Sequence, residues 1–266
     1  MTDAPESSDR DDAKARVRAQ YGAVGDAYVT SVGHATGGDL ARMVELAAPQ
    51  PTDTLLDIAT GGGHVATTFA PHVQRVIATD LTPEILTHAA SYFAELGLTN
   101  IETQIADAEE LPFAEDEIDI VTCRIAPHHF PHPTRFVLEA ARVLHLGGRF
   151  VLIDTTVPEG EAGEVLNQID KLRDPSHVRS LSIDEWENLL TAAGFATIAV
   201  ESFTKRHDFA DWTARSRMGD DDRVKLEQFI LDLPDDVQEA MQLELEDGHL
   251  VAFHDTKTLF FAVQDS

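Results

Sequence analysis

The chain has 266 residues, above the ~100–200 residues of a usual domain, so it holds one large domain or one domain carrying an insertion. With 43% apolar and 25% charged residues it has ordinary globular composition, which excludes collagen-like, low-complexity and wholly disordered readings. Forty-seven acidic side chains against 20 basic ones leave a net charge of −27. That balance disfavours a nucleic-acid partner, because a phosphate-backbone binder needs clustered Lys and Arg.

The acids are spread along the chain, so self-repulsion acts on the whole molecule, a pattern that suits a salt-rich cytoplasm. The competing reading is an acidic protein of ordinary surroundings. The lone cysteine, Cys123, allows no internal disulfide. No apolar run reaches 18 residues and the start carries no apolar leader pattern, so the expectation is a cytoplasmic protein with no membrane insertion.

In chain order, Asp11 to Tyr21 reads as a helix, and Asp39 to Ala48 as a second with Leu40, Met43, Val44 and Ala47 on one face. Residues 1–50 are expected to form a helical segment covering a cofactor site. From residue 53 short apolar runs alternate with helical stretches, which is the pattern of βαβ units on a parallel sheet. The expected strands are Thr54–Ala59, Arg75–Thr79, Ile101–Ala106, Ile118–Cys123 and Arg149–Ile153. Helices are expected after Gly63, from Thr82-Pro83 to Leu96, and from Pro133 to His145 with Gly147-Gly148 as the stop. After Pro158 the rhythm loosens. Ser182-Ile183-Asp184-Glu185 is a capping box opening a helix, and Phe195–Phe203 reads as a strand. Residues 208–247 show no strand pattern, and 204–248 are expected to be a helical insertion, either a lid or pocket wall for substrate or a structural appendage. Leu250–Phe253 and Thr258–Val263 read as two closing strands, so that the core spans 51–203 plus 249–266.

The most informative stretch is Asp57-Ile-Ala-Thr-Gly-Gly-Gly63-His-Val-Ala66. A strand running into glycines and then a helix lets backbone N–H groups approach a ligand where a Cβ would collide. Taken alone it also fits the G-x-G-x-x-A variant of the nicotinamide fingerprint. Asp80 ends the second strand 19 residues beyond Gly61, where a carboxylate can accept bonds from ribose hydroxyls. Asp107 ends the third, where a carboxylate can accept from an adenine amino group.

With these acids in place the run from about Thr54 to Asp154 resembles the class I S-adenosylmethionine-dependent methyltransferases, in their ubiquinone/menaquinone-methyltransferase-like small-molecule group. The more specific matches are Asp107-Ala-Glu-Glu-Leu-Pro-Phe113 and Ala141-Arg-Val-Leu-His-Leu-Gly-Gly148-Arg-Phe-Val-Leu-Ile-Asp154. The resemblance implies an α/β fold with a doubly wound, seven-stranded, mostly parallel sheet of order 3-2-1-4-5-7-6, the last strand antiparallel. It implies cofactor contacts at Asp57, Ala59, Gly61, Gly63, Asp80, Leu81, Asp107, Ala108 and Arg124. Ala59 stands where the family has its first glycine, and is expected to weaken only the close approach at that turn.

The implied activity is metal-independent transfer of a methyl group from S-adenosyl-L-methionine to O, N or C of a small molecule, by in-line displacement resting on positioning. Arg124 stands where catechol-type enzymes need a metal-ligating acid, and Arg124-Ile-Ala-Pro127 lacks the DNA amino-methyltransferase motif. No Cys or His spacing makes a metal site.

His128 and His129, just past the fourth strand, are the candidate bases. His128 is expected to face the cofactor and His129 to pack inward, since adjacent side chains on an extended segment point opposite ways. Candidate substrate contacts are Tyr28, with His34 nearby, His177, with Arg179, and the Trp212/Arg215 pair at i, i+3 spacing as an aromatic wall and a cation for an anionic substrate. Each also reads as a packing residue. A nicotinamide-dependent oxidoreductase and a cofactor-binding protein without catalysis are the alternatives. The methyl acceptor and the oligomeric state stay open.

Overall fold

The structure, a computed structural model, describes residues 7–22 and 38–265. Its sheet has eight strands: β1 (Thr54–Ile58), β2 (Arg75–Asp80), β3 (Ile101–Ile105), β4 (Ile118–Arg124), β5 (Leu144–Thr156), β6 (Phe195–Asp208), β7 (Glu244–Glu246) and β8 (His249–Gln264). They lie in the order β3-β2-β1-β4-β5-β8-β6, with β7 pairing β8 off this path. Strands β1 to β5 pair in parallel, while β8 runs antiparallel between β5 and β6. The seven strands of the main path thus have the order expected from the sequence, with the closing strand antiparallel.

Parallel strands covered on both faces bury both sets of alternating side chains, and the two cores show it. Leu56, Val121 and Leu152 enter the core holding Phe136, Phe150 and Trp186. Their neighbours Leu55, Ile120 and Val151 enter the opposite core, with Met43, Phe69 and Phe93. The helices in order are α1 (Ser7–Gly22), α2 (Gly38–Ala47), α3 (His64–Phe69), α4 (Pro83–Glu95), α5 (Pro133–Val143), α6 (Glu161–Arg173), α7 (Ile183–Ala192), α8 (Phe209–Arg215), α9 (Asp220–Leu231) and α10 (Asp235–Ala240). The capping box closes reciprocally at α7: Glu185 N–H donates to Ser182 Oγ at 3.1 Å, and Ser182 N–H to a Glu185 carboxylate oxygen at 2.8 Å.

Several elements differ from the sequence reading. Gly147-Gly148 does not stop a helix but lies inside β5, which begins at Leu144. The stretch after Pro158 contains α6, whose Ala162, Val165, Leu166 and Ile169 pack into the core of the insertion. The two closing strands are one, because the polar run His254-Asp255-Thr256-Lys257 continues in register with β6 instead of turning. The insertion begins later than 204, since β6 runs to Asp208, and it is not wholly helical, since β7 pairs the start of β8. Helices α8, α9 and α10 close a third core of Phe209, Trp212, Leu226, Ile230 and Phe253.

Candidate active site

The glycine turn, the ends of β2 and β3, and the residues after β4 surround one cleft of about 1100 Å³, counted out to its open mouth. Asp57, Ala59, Gly61, Asp80, Leu81, Asp107, Ala108 and Arg124 all line it. Gly63 has a different task. Its φ is +79°, and a Cβ there would run into the ring of Phe93, with Cζ at 2.6 Å. It starts α3 and lets α4 close down on the turn. Ala59 takes a φ of +54°, a left-handed conformation that an L side chain adopts at a cost of about 1–2 kcal/mol. The alanine therefore keeps a left-handed backbone and bears strain, where the sequence reading expected only a weaker close approach. Ile125, on the same wall, is also left-handed at +55°. Strain at two wall positions is the pattern expected where the surroundings over-determine a binding geometry.

Two carboxylates shape the turn from within. Asp57 accepts from Thr60 Oγ1 at 2.6 Å and Thr122 Oγ1 at 2.8 Å. Asp80 accepts from Thr82 N–H at 2.9 Å and Gly61 N–H at 3.2 Å. Burial pushes each carboxyl up to about 6 against those bonds.

The β3 end carries a contact that the sequence did not disclose. From α1, Lys14 Nζ lies 2.5 Å from Asp107 Oδ2 and 2.8 Å from the buried Glu109, and Arg10 reaches Asp107 at 3.0 Å. Burial works to raise the Asp107 carboxyl, but Lys14 and the Glu109 N–H outweigh it and hold it below its ordinary value. The only sequence signal was a basic residue on an N-terminal helix, which specifies no partner.

Beyond β4, residues Pro127–His129 form a 3-10 turn, so the alternation expected of an extended segment does not apply. The two rings lie 4.2 Å apart and His177 stacks on His128 at 5.5 Å. His129 is the ring on the cleft wall, donating from Nδ1 to the Ser176 carbonyl at 3.0 Å. His128 Nδ1 lies 2.6 Å from Oδ1 of Asp154, the buried acid near the end of β5. Burial drives His128 and His129 down to about 3 and His177 down to about 2, so all three rings are neutral, while burial pushes Asp154 up to about 7. Asp154 is the partner that the sequence reading missed: nothing in the spacing of 128 and 154 marks adjacent strand ends as neighbours.

The substrate candidates scatter. His177 is buried and donates to Asn167 Oδ1 at 2.9 Å, and Arg179 pairs with Glu185. Trp212 is buried in the insertion core against Phe253, with Arg173 above its ring at 4.7 Å, whereas Arg215 is exposed. The i, i+3 pair therefore does not share a face. Tyr28 and His34 lie outside the described residues. No group of acids, His and Cys able to hold a metal occurs among the described residues, and no helix among them is long and apolar enough to cross a membrane.

Arg124 bridges outward from the cleft, pairing with Asp39 of α2 at 2.7 Å with both side chains buried. Through Arg124 and Ile125 the cleft adjoins a second cavity of about 1030 Å³, again counted to its mouth, between α2 and the β6/β8 ribbon.

Residues 56–152 match the methyltransferase domain family. The chain is 40% identical over 182 residues to the uncharacterized methyltransferase YcgJ of Bacillus subtilis, covering 68% of this chain and 72% of that one. A crystal structure of a methyltransferase of Bacillus halodurans, titled as putative, superposes with a TM-score of 0.84 at 38% identity, over 86% of this chain and 100% of that one. The geranyl diphosphate C-methyltransferase of Streptomyces coelicolor, solved with Mg2+, geranyl diphosphate and S-adenosyl-L-homocysteine, superposes at 0.58 with 15% identity, over 85% of this chain and 77% of that one, and shares the fold alone. A glycine turn beside two acid-tipped strands, with sequence kinship across two thirds of the chain, places this protein in the methyltransferase domain family as an S-adenosylmethionine-dependent methyltransferase.

Proposed function

We propose that S-adenosyl-L-methionine lies across the carboxyl ends of β1, β2 and β3 and that its methyl group passes to a small-molecule acceptor beside His129, the histidine that lines the cleft in place of the expected His128. The observation that carries this reading is the pair of carboxylates on adjacent strand ends, Asp80 and Asp107, in one cleft with the glycine turn. The residues fit the group. Asp80 would take the ribose hydroxyls, Asp107 the adenine amino group, Leu81 and Ala108 the ring faces, and the turn Ala59–Gly61 the amino-acid end. When bound, the cofactor supplies an electrophilic methyl on a sulfonium. Helix α1 closes the adenine end through Lys14 and Arg10 and so acts as its cover. The lone buried cysteine and the absence of a spanning helix among the described residues support a cytoplasmic setting, and the charge of −27 supports a salt-rich one.

The chain's further contribution is a base. His129 donates from Nδ1 to the Ser176 carbonyl and would offer Nε2, on the cleft side, as acceptor for the proton that an O–H, N–H or acidic C–H acceptor must lose, with ionised Asp154 held behind it by His128. Asp154 then stabilises the imidazolium that forms. Turnover should rise with pH through about 7 as Asp154 ionises.

Calorimetry tests the cofactor assignment: S-adenosyl-L-homocysteine binds, NAD does not, and Asp80→Asn weakens binding at least about tenfold through loss of charge-assisted bonds. Binding of NAD alone would return the chain to the oxidoreductase reading. Once an acceptor is found in a labelled-methyl screen, His129→Asn should cut turnover about a hundredfold or more with adenosylhomocysteine affinity unchanged. Unaltered turnover would leave positioning as the whole mechanism.

A further inference from the structure

Helix α1 is fastened to the cleft by charge. Among its described side chains only Ala13 and Lys14 are buried, so the helix brings little apolar area to the contact. Lys14 Nζ lies between two carboxylates, 2.5 Å from Asp107 Oδ2 and 2.8 Å from Glu109 Oε2. The Glu109 side chain is 1% exposed, and its other oxygen accepts from the His132 N–H at 2.7 Å. A buried carboxylate stripped of its cation is strongly unfavourable, so Glu109 fixes the Lys14 ammonium where it stands.

That fixed ammonium decides what Asp107 can recognise. An ionised carboxylate only accepts, with about four lone-pair positions on its two oxygens. Oδ2 is used twice, by Lys14 and by Arg10 at 3.0 Å, and Oδ1 once, by the Glu109 N–H at 3.0 Å. Among the contacts of the described residues a position on Oδ1 is left, and Asp107 lines the cleft. Glu110, the further acid near Arg10 at 3.5 Å, is exposed. Burial by itself would favour the neutral acid, which donates as readily as it accepts; Lys14, the Glu109 N–H and Arg10 oppose it. What remains of Asp107 therefore takes a donor and repels an acceptor.

We infer that Lys14 is a positioning residue for the purine: through Asp107 it makes the cleft select a 6-amino group over a 6-oxo group, so that S-adenosyl compounds are bound in preference to S-inosyl ones. The inference rests on the S-adenosylmethionine reading of the cleft, and it assigns base selection to a helix outside the residues 56–152 that match the family. A lysine that merely stood in the place of the amino group would act in the opposite sense, as a competitor whose removal tightens binding.

The test titrates the full-length protein by calorimetry with S-adenosyl-L-homocysteine and with S-inosyl-L-homocysteine. The wild type should prefer the adenosyl compound at least about tenfold. Lys14→Met should weaken adenosyl binding at least about fivefold without weakening inosyl binding, so that the preference narrows. Lys14→Met combined with Glu109→Gln, which strands no buried charge, is titrated alongside and should show the same narrowing. Asp107→Asn, whose amide donates as well as accepts, should narrow the preference too, and adding Lys14→Met to it should narrow it no further, because the lysine acts through that carboxylate. Equal wild-type affinities, tighter adenosyl binding in the lysine variants, an unchanged ratio of the two affinities, or a further narrowing on top of Asp107→Asn overturns the inference. Failure of the wild type to bind either compound would remove the cofactor reading itself, and this assignment with it.

Discussion

Replacing Gly63 by alanine probes the junction on which the cleft depends, and its magnitude follows from two independent terms. Glycine is at φ +79°, where an L residue costs about 1–2 kcal/mol. The new Cβ would meet the Phe93 ring, with Cζ at 2.6 Å, and overpacking of that kind costs about 1–3 kcal/mol. Stiffening of the unfolded chain returns about 0.4–1 kcal/mol, so the net loss should be about 2–4 kcal/mol. For a chain of this size that lowers the melting temperature by roughly 5–15 °C. Urea denaturation of four proteins, wild type, Gly63→Ala, Phe93→Leu and the double variant, separates the terms. Leucine lacks the ring atoms that collide, so the double variant should be less destabilised than the sum of the singles by about 1–3 kcal/mol, with the backbone share persisting. A loss below 1 kcal/mol in Gly63→Ala, or strict additivity of the two changes, would refute the account of α4 closing on the turn.

The strained alanine gives the opposite sign: Ala59→Gly should be neutral or stabilise by up to about 1 kcal/mol in urea melts, because release of the left-handed strain offsets the glycine's entropy. His177, held down to about 2 by burial, has a folded value below its unfolded one near 6.5, so its contribution is present above that value and is lost as pH falls. Between pH 7 and 5 the wild type should therefore lose about 2 kcal/mol more stability than His177→Gln, and parallel pH curves would show that the ring is not kept neutral. The charge of −27 predicts a melting temperature that climbs as KCl approaches molar levels, since the reach of repulsion falls from ~30 Å at 0.01 M to ~3 Å at 1 M; a flat curve would favour the ordinary acidic reading.

The parts of the fold legible in sequence were those with a local period. Continuous apolar runs in β1, β2, β4 and β5 reflect burial on both faces, and Pro83 and Ser182 mark helix starts by stereochemistry alone. The single strand β8 was read as two because His254-Asp255-Thr256-Lys257 has the composition of a turn. Its polar side chains are tolerated there by cross-strand partners on β6 and β5, such as Thr155 for Lys257, that no local window contains. The site divides in the same way. Gly61, Asp80 and Asp107 announce themselves at strand ends, whereas Lys14 on Asp107 and Asp154 on His128 arise from elements brought together by topology.

The continuity of β6 and β8 gives the molecule a particular architecture for change. The two strands leave the sheet as one ribbon, with β7 taking up the edge of β8 beyond the last residue of β5, at Thr156 opposite Thr256. The helices between Asp208 and Glu244 hang from the ribbon's tip over their own small core. The strands that address the cofactor are β1 to β4, at the same carboxyl edge of the sheet past which the ribbon extends. The segment from Phe209 to Leu243 is thus an exchangeable cassette: a different segment grafted at the ribbon tip would change what stands beyond that edge while the strands and the glycine turn keep their register.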